Sequence, residues 1–237
     1  MKFINEKGEK INLDDFSFLD HGNCANIYYN NNIVFKKYKP TTQSEYKIDS
    51  KVFNILKDIN NPNFIKLYET YMLTTLKERC LHLLNNINFR IDAYTAKYYE
   101  KDYVDPIFIN KDYLLSNLYE IEKIFCELSR YRVKVGDIHA KNTIYTKDLI
   151  IIIDPDLFQL SNFSQYEIEI INKKNILTLF ESMIENSGGL FYDERNALLD
   201  WVDDNFTKDS ITEKTNVTDF IAKQLRHVKK PIDLVKK

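Results

Sequence analysis

The run "LIIII" at residues 149–153 constrains this chain more than any other feature. Five consecutive apolar residues, four of them β-branched, favour a strand buried on both faces. Its flanks are polar. In "VGDIHAKNTIYTKDLIIIIDPDLF", residues 135–158, Asp137, His139 and Asn142 precede the run and Asp154 and Asp156 follow it. Ionised carboxylates do not sit unpaired against an apolar strand, so these groups need water, donors or a cation. The turn "TKD" between Asn142 and Asp154 predicts a hairpin that folds both toward one end. Asp and Asn oxygens together suit a hard cation such as magnesium. Each residue alone also fits a plainer role: Asp137 and Asn142 as loop formers bonding the backbone, Asp154 as a turn cap. Their order and spacing as a set favour a site.

The chain reads as strands first and helices later. Phe3, Ile11 and Leu13 around Lys7-Gly8-Glu9 predict a hairpin. "FSFLDHGNCANIYYNNNIVFKKY" predicts strand, polar loop, strand, tight turn and strand, with Asn30, Asn31 and Asn32 suiting the turn because Asn tolerates positive φ. A helix follows, capped by Thr42 or Ser44, with Glu45, Asp49, Val52, Phe53 and Leu56 on one stripe and Pro62 ending it. Residues 64–98 mix strand signals with a short helix near 76–84. The second part is helical. Leu114, Leu118, Ile121, Phe125 and Leu128 share a face, and further helices are predicted at 165–184, 193–205 and 216–227, with Gly188-Gly189 breaking the first two. Trp201 reads as core, and the tail as frayed. The fold class is α+β: a strand-rich lobe over residues 1–100, a connector near 99–106, and a helical lobe over 101–237.

Composition narrows the function. The 237 residues, 44% hydrophobic, suffice for one large domain or two small lobes. A net charge of −2 supplies no global pull toward nucleic acid or anionic membrane, and neither is predicted as a partner. Cys24, Cys80 and Cys126 are scattered, as reduced thiols of a cytoplasmic protein would be. The first residues contain no apolar signal-peptide core, and residues 149–153 are too few to span a bilayer.

"GDIHAKNTI" followed by "IIDPD" resembles the catalytic loop and metal-binding segment of the protein-kinase-like superfamily. The form Gly136-Asp137-x-His139-x-x-Asn142 is nearest the aminoglycoside phosphotransferase and choline kinase-like branch. The resemblance covers residues 14–185 and implies a bilobal fold with an N-terminal antiparallel sheet. It implies ATP and magnesium as cofactors. Asp137 then stands as the catalytic aspartate, and Asn142 and Asp154 as the metal ligands. "LDHGNCANIYYNNNIVFKKYKP" resembles the nucleotide-binding hairpin, with Gly22 at the second glycine of the family's loop and Asp20 and Ala25 where the other two would stand. Lys36 takes the phosphate-pairing position and Val34 the adenine face. Asp49, or else Glu45, is the implied acidic partner of Lys36, although a gapless match puts Val52 there. Residues 98–101, Tyr99 among them, take the hinge position that offers backbone groups to adenine. Lys141 stands within reach of the γ-phosphate, and Asp156 is either a second metal contact or a cap.

Departures from the protein-kinase pattern refine the expectation. About ten residues separate Asp154 from the next helix, and no Ala-Pro-Glu follows. Pro155 replaces the Phe of Asp-Phe-Gly. The resemblance therefore implies transfer of the ATP γ-phosphoryl group to a hydroxyl acceptor, a small molecule in preference to a peptide. The alternatives are a kinase-like binding protein without turnover, suggested by the degenerate loop and displaced acid, and an atypical enzyme that modifies a partner protein.

Overall fold

The computed structural model describes residues 1–74, 91–101, 111–187, 192–205 and 208–227. The chain divides into two compact units: Met1–Asn60 with Ile65–Tyr99, and Asn61–Phe64 with Glu100–Lys237.

The first unit is a curled antiparallel sheet. Its strands are β1 (Lys2–Asn5), β2 (Lys10–Asn12), β3 (Ser17–His21), β4 (Ala25–Asn30), β5 (Ile33–Tyr38), β6 (Leu67–Leu73) and β7 (Ala93–Lys97), in the order β2-β1-β6-β7-β5-β4-β3. Asn31 and Asn32 close the β4–β5 hairpin at φ 47° and 64°, the positive φ at both central residues that a tight primed turn needs. One face of the sheet packs Phe3, Leu13, Phe35, Tyr71 and Ala93 together. The Phe35 ring lies 5.0 Å from Phe3 and 5.5 Å from Tyr71. Alternation along β5 sends Val34 and Lys36 to the opposite face, where Lys36 is in register with Tyr94. Helix α1 (Ser50–Asp58) covers part of that face, its Phe53 ring 5.9 Å from Tyr94.

Helix α1 begins later than the apolar stripe predicts. Thr42 is no helix cap, since its hydroxyl donates to the Cys24 carbonyl at 2.5 Å. Ser44–Tyr46 is a 3-10 turn. Asp49 is the N-cap, accepting from the backbone N–H groups of Lys51 at 2.8 Å and Val52 at 3.3 Å. Those groups have no partner within the helix, and a capping carboxylate stabilises it by about 1 kcal/mol. Glu45 and Asp49 therefore both lie outside the helix body that was to present an acid to Lys36.

The second unit holds α2 (Lys111–Arg130), β8 (Val133–Lys134), β9 (Thr143–Tyr145), β10 (Ile150–Ile152), β11 (Gln159–Leu160), α3 (Gln165–Glu185), α4 (Tyr192–Asn205) and α5 (Val217–His227). The predicted stripe of α2 is buried throughout. Ile150, Ile151 and Ile152 are wholly buried, and β10 pairs with β9 as the predicted hairpin. Strand β11 returns antiparallel to β8. Helix α3 starts in a capping box between Ser164 and Glu167.

A boundary near residue 100 does not account for Asn61–Phe64, which belong with this second unit. The Asn63 side-chain amide donates to Asn117 Oδ1 and to the Ile150 carbonyl, and the Asn63 backbone carbonyl accepts the Ile152 N–H at 2.8 Å. The Phe64 ring lies 6.1 Å from Phe158. The partners are far apart in sequence, so local pattern carries no trace of them.

The predicted helix near 76–84, the Gly188-Gly189 break, Cys80, the side chain of Trp201 and the tail lie outside the described residues. Among the described residues, Cys24 and Cys126 are free thiols, and no helix is long and apolar enough to cross a membrane.

Candidate active site

The central loop hangs from a strand that α3 grips. Asn172 of α3 is fully buried. Its Oδ1 accepts the Val135 N–H at 2.9 Å, and its amide nitrogen has the Phe125 carbonyl, Ser129 Oγ and Val133 carbonyl within 3.1 Å. Asn175 donates to the Val135 carbonyl at 2.9 Å. Both backbone groups of Val135 are thus held by one helix. Replacing Asn172 with leucine strands the Val135 N–H in the core, which costs about 2–3 kcal/mol. The expected fall in melting temperature is roughly 5–10 °C; an unchanged melting curve would contradict this role.

The next residue is Gly136. A Cβ there would stand 2.4 Å from the Leu157 carbonyl oxygen, a backbone atom. Only glycine allows this approach between the loop and the turn after β10.

Asp137 follows in the left-handed region at φ 53°. Asn142 holds it, its amide donating to the Asp137 carbonyl at 2.9 Å and to Oδ2 at 3.0 Å. On the other carboxylate oxygen, His139 Nε2 stands 3.4 Å from Oδ1. His139 Nδ1 accepts the Lys141 N–H at 3.2 Å. That bond occupies the Nδ1 lone pair. The loop is tied to α3 again where the Ala140 N–H donates to Ser182 Oγ at 3.0 Å.

The β9–β10 hairpin brings in the last residue. The Ile153 N–H donates to the Asn142 carbonyl at 2.9 Å, and Asp154 is the next residue. Asp154 is also left-handed, at φ 58° and ψ 63°, and opens the 3-10 turn Pro155–Leu157. Left-handed backbone is unfavourable for a residue with a Cβ, though Asp bears it better than most. Two aspartates held this way at the ends of one hairpin are the strain that functional sites tend to keep. Asp156 is buried within the turn.

In the first unit, Lys36 is 7% exposed, with Nζ 5.8 Å from the centre of the Tyr94 ring. Val34 shares its face, in register with Ala96. Gly22 lies in the β3–β4 loop, where its N–H donates to the Ala25 carbonyl at 2.8 Å. A Cβ on Gly22 would meet only that carbonyl, at 3.8 Å, so local packing does not demand glycine. At the expected hinge, the Tyr98 N–H is committed to the Asn32 carbonyl at 2.8 Å and cannot serve adenine. Tyr99 follows with Lys97 Nζ 5.0 Å from its ring centre, and burial raises the pKa of its hydroxyl. Lys141 is exposed on the central loop.

Among the described residues, no group of three or more His, Cys, Asp or Glu forms a metal cage. The oxygens on hand are those of Asn142 and Asp154. The Asn142 amide nitrogen is spent on Asp137, which leaves its Oδ1 to accept. One amide oxygen and one carboxylate fit magnesium, which takes few protein ligands and completes its shell with phosphates and water.

The chain matches no protein-family model and no curated protein. A functional reading therefore rests on the residues themselves.

Asn172, Asn175 and Ser182 were not singled out from sequence, yet they hold the loop. Asn172 did leave a signal. It sits between Ile168 and Ile176 at i, i+4, i+8, a polar residue in the middle of an apolar stripe. A buried amide in such a place needs partners, and here they are the strand that precedes Asp137.

Proposed function

We propose that this chain is a phosphotransferase of the protein-kinase-like type, moving the γ-phosphoryl group of ATP to a hydroxyl acceptor. The observation that carries the reading is that one buried hairpin sets Asn142, hydrogen-bonded to Asp137, against Ile153, the residue before Asp154. Asp137 orients the acceptor hydroxyl and takes its proton as the new P–O bond forms. The Asn142 amide holds the Asp137 carboxylate through Oδ2, which limits its reorganisation on binding. Asn142 and Asp154 would hold magnesium, which supplies charge stabilisation on the phosphate oxygens. Lys36 pairs with the nucleotide phosphates, and Val34 packs on its base. Only residues 155–164 separate Asp154 from α3, too few for the long peptide-docking segment of a protein kinase. That favours a small hydroxyl compound as acceptor.

A thermal shift assay with ATP, with and without magnesium, tests the reading together with ADP release. Bound ligand raises the melting temperature by mass action, about 2.7 kcal/mol at a hundredfold excess over Kd. The expected result is a shift that grows with magnesium and ADP that accumulates with it. The absence of both the shift and ADP release would sink the proposal.

The capping role of Asp49 favours a second reading. With its Oδ1 bound to the start of α1 and Glu45 in an exposed 3-10 turn, no acid stands within the body of the helix before Asp58. A protein of this kind binds nucleotide without turnover. Its signature is a magnesium-dependent shift and no ADP.

A further inference from the structure

Strand β11 and the loop after it present apolar side chains to solvent. Residues 159–166, "QLSNFSQY", carry no charge in a chain that is 29% charged, and all are exposed or half-exposed. Leu160 is 45% exposed and Phe163 51%, and Tyr131, just before β8, is 52% exposed. The backbone holds them there. Strand β11 pairs with β8, and the Ser161 N–H donates to the Arg132 carbonyl at 2.9 Å. The Phe163 N–H donates to Ser161 Oγ at 3.2 Å, and Ser164 then starts α3 in its capping box. Phe163 stands directly before that cap, where an apolar residue commonly packs back onto its own helix. Half of it stays exposed all the same. One exposed apolar residue means little. Three on two segments tied together by hydrogen bonds make a patch.

Cations border this patch. Arg132 and Lys134 flank Val133, the register partner of Leu160, and Arg130 precedes Tyr131. All three are exposed. Among the described residues none of the three forms an ion pair, whereas Lys123, Lys173 and Lys174 of the same unit each do. Of the acids adjoining these segments in sequence, Asp156 is buried, Glu167 is bound in the capping box, and Glu127 lies a turn back along α2. The patch keeps a positive excess.

That chemistry selects an occupant. Exposed arginine and lysine without acidic partners attract an anionic surface. Protruding apolar side chains set among serine, asparagine and glutamine suit the headgroup layer of a bilayer, which takes up the first and hydrates the second. Leu160 has no π-face, so it does not offer the base stacking by which single-stranded nucleic acid is held. The charge of the whole chain gives no pull toward a membrane, but the potential of an anionic leaflet fades within a Debye length, and only nearby cations feel it.

We propose that the surface formed by residues 130–134 and 159–163 docks on an anionic lipid bilayer. Leu160 and Phe163 enter the headgroup region, and Arg130, Arg132 and Lys134 meet the acidic lipids. The chain lies on the bilayer and does not cross it. This inference does not depend on the phosphotransferase reading.

The test is co-sedimentation of the full chain with vesicles of phosphatidylcholine alone and of phosphatidylcholine mixed with phosphatidylserine. Binding is expected to the mixed vesicles, weakening as salt is raised. Phe163→Ser is expected to weaken it about tenfold, the scale of burying one aromatic side chain. Leu160→Gln, away from the helix cap, weakens it about fivefold and checks the same point. Lys134→Gln costs about fivefold, the scale of one cation at a charged membrane. Arg132→Asn does the same, and asparagine tolerates the φ of 58° at this position. All four positions are exposed, so the variants should melt close to the wild type. A wild-type chain that sediments with neither vesicle, or equally with both, overturns the proposal. Losses in the cation variants with none in Phe163→Ser and Leu160→Gln also overturn it, since they describe a plain anion-binding patch. Tighter binding to single-stranded DNA than to the mixed vesicles overturns it in favour of nucleic acid.

Discussion

Asp154→Ala is expected to abolish magnesium-dependent ATP turnover. The proposed metal site has two protein oxygens, from Asn142 and Asp154, and only Asp154 brings a charge. Magnesium binds few protein groups, so losing the carboxylate removes most of the protein's hold on it. Alanine is also poorly suited to φ 58°, at about 1–2 kcal/mol for a left-handed residue. Asp154→Asn separates the two effects. It tolerates the backbone and keeps the shape but not the charge, so turnover should stay lost without the left-handed backbone cost of alanine. Asp137→Asn removes the proton acceptor and keeps a carbonyl oxygen for the Asn142 amide. Turnover should fall by about a hundredfold or more, the usual scale of general-base catalysis, with nucleotide binding retained. Wild-type ADP release in both Asp154→Asn and Asp137→Asn would falsify the mechanism.

Gly136→Ala should have the second largest effect, although it removes no functional group. The added Cβ would stand 2.4 Å from the Leu157 carbonyl oxygen. No side chain can move aside there, because the obstacle is backbone. The loop and the turn after β10 must part, at a cost of about 1–3 kcal/mol for an overpacked site. Melting temperature should drop by roughly 3–10 °C. Turnover should drop further than stability predicts. The two backbones that part carry Asp137 and Asp154, and a displacement of about 1 Å in a reacting group costs on the order of a hundredfold. Activity measured well below the melting point separates the two. A variant with wild-type turnover there would show that the approach of Gly136 to Leu157 does not set the site.

Local pattern exposed much of the hairpin that carries the candidate residues. The isoleucine run and the turn before it are enough to predict the β9–β10 hairpin, and that hairpin carries Asn142 to Ile153 and so to Asp154. The Asn31-Asn32 turn and the stripe of α2 are equally local. Asp49 was read wrongly for a local reason too. Helical spacing from Val52 and Leu56 extends back to Asp49 and Glu45, and periodicity does not mark where a helix starts. The cap marks it: the Asp49 carboxylate satisfies the free N–H groups of the first turn and closes the helix there.

By itself, the sequence determined the strands that alternate or run apolar, the helices with a 3.6-residue stripe, and the order of Asp137, Asn142 and Asp154 around a buried run. These follow from spacing within a few turns of chain. Tertiary structure alone decided that Asn172 grips Val135, that Asn61–Phe64 join the helical unit, and that Gly136 must lack a Cβ to meet Leu157. Each of these is a hydrogen bond or a close approach between groups well separated in sequence. Which donor finds which carbonyl at such range depends on how the elements pack, and no periodicity records it.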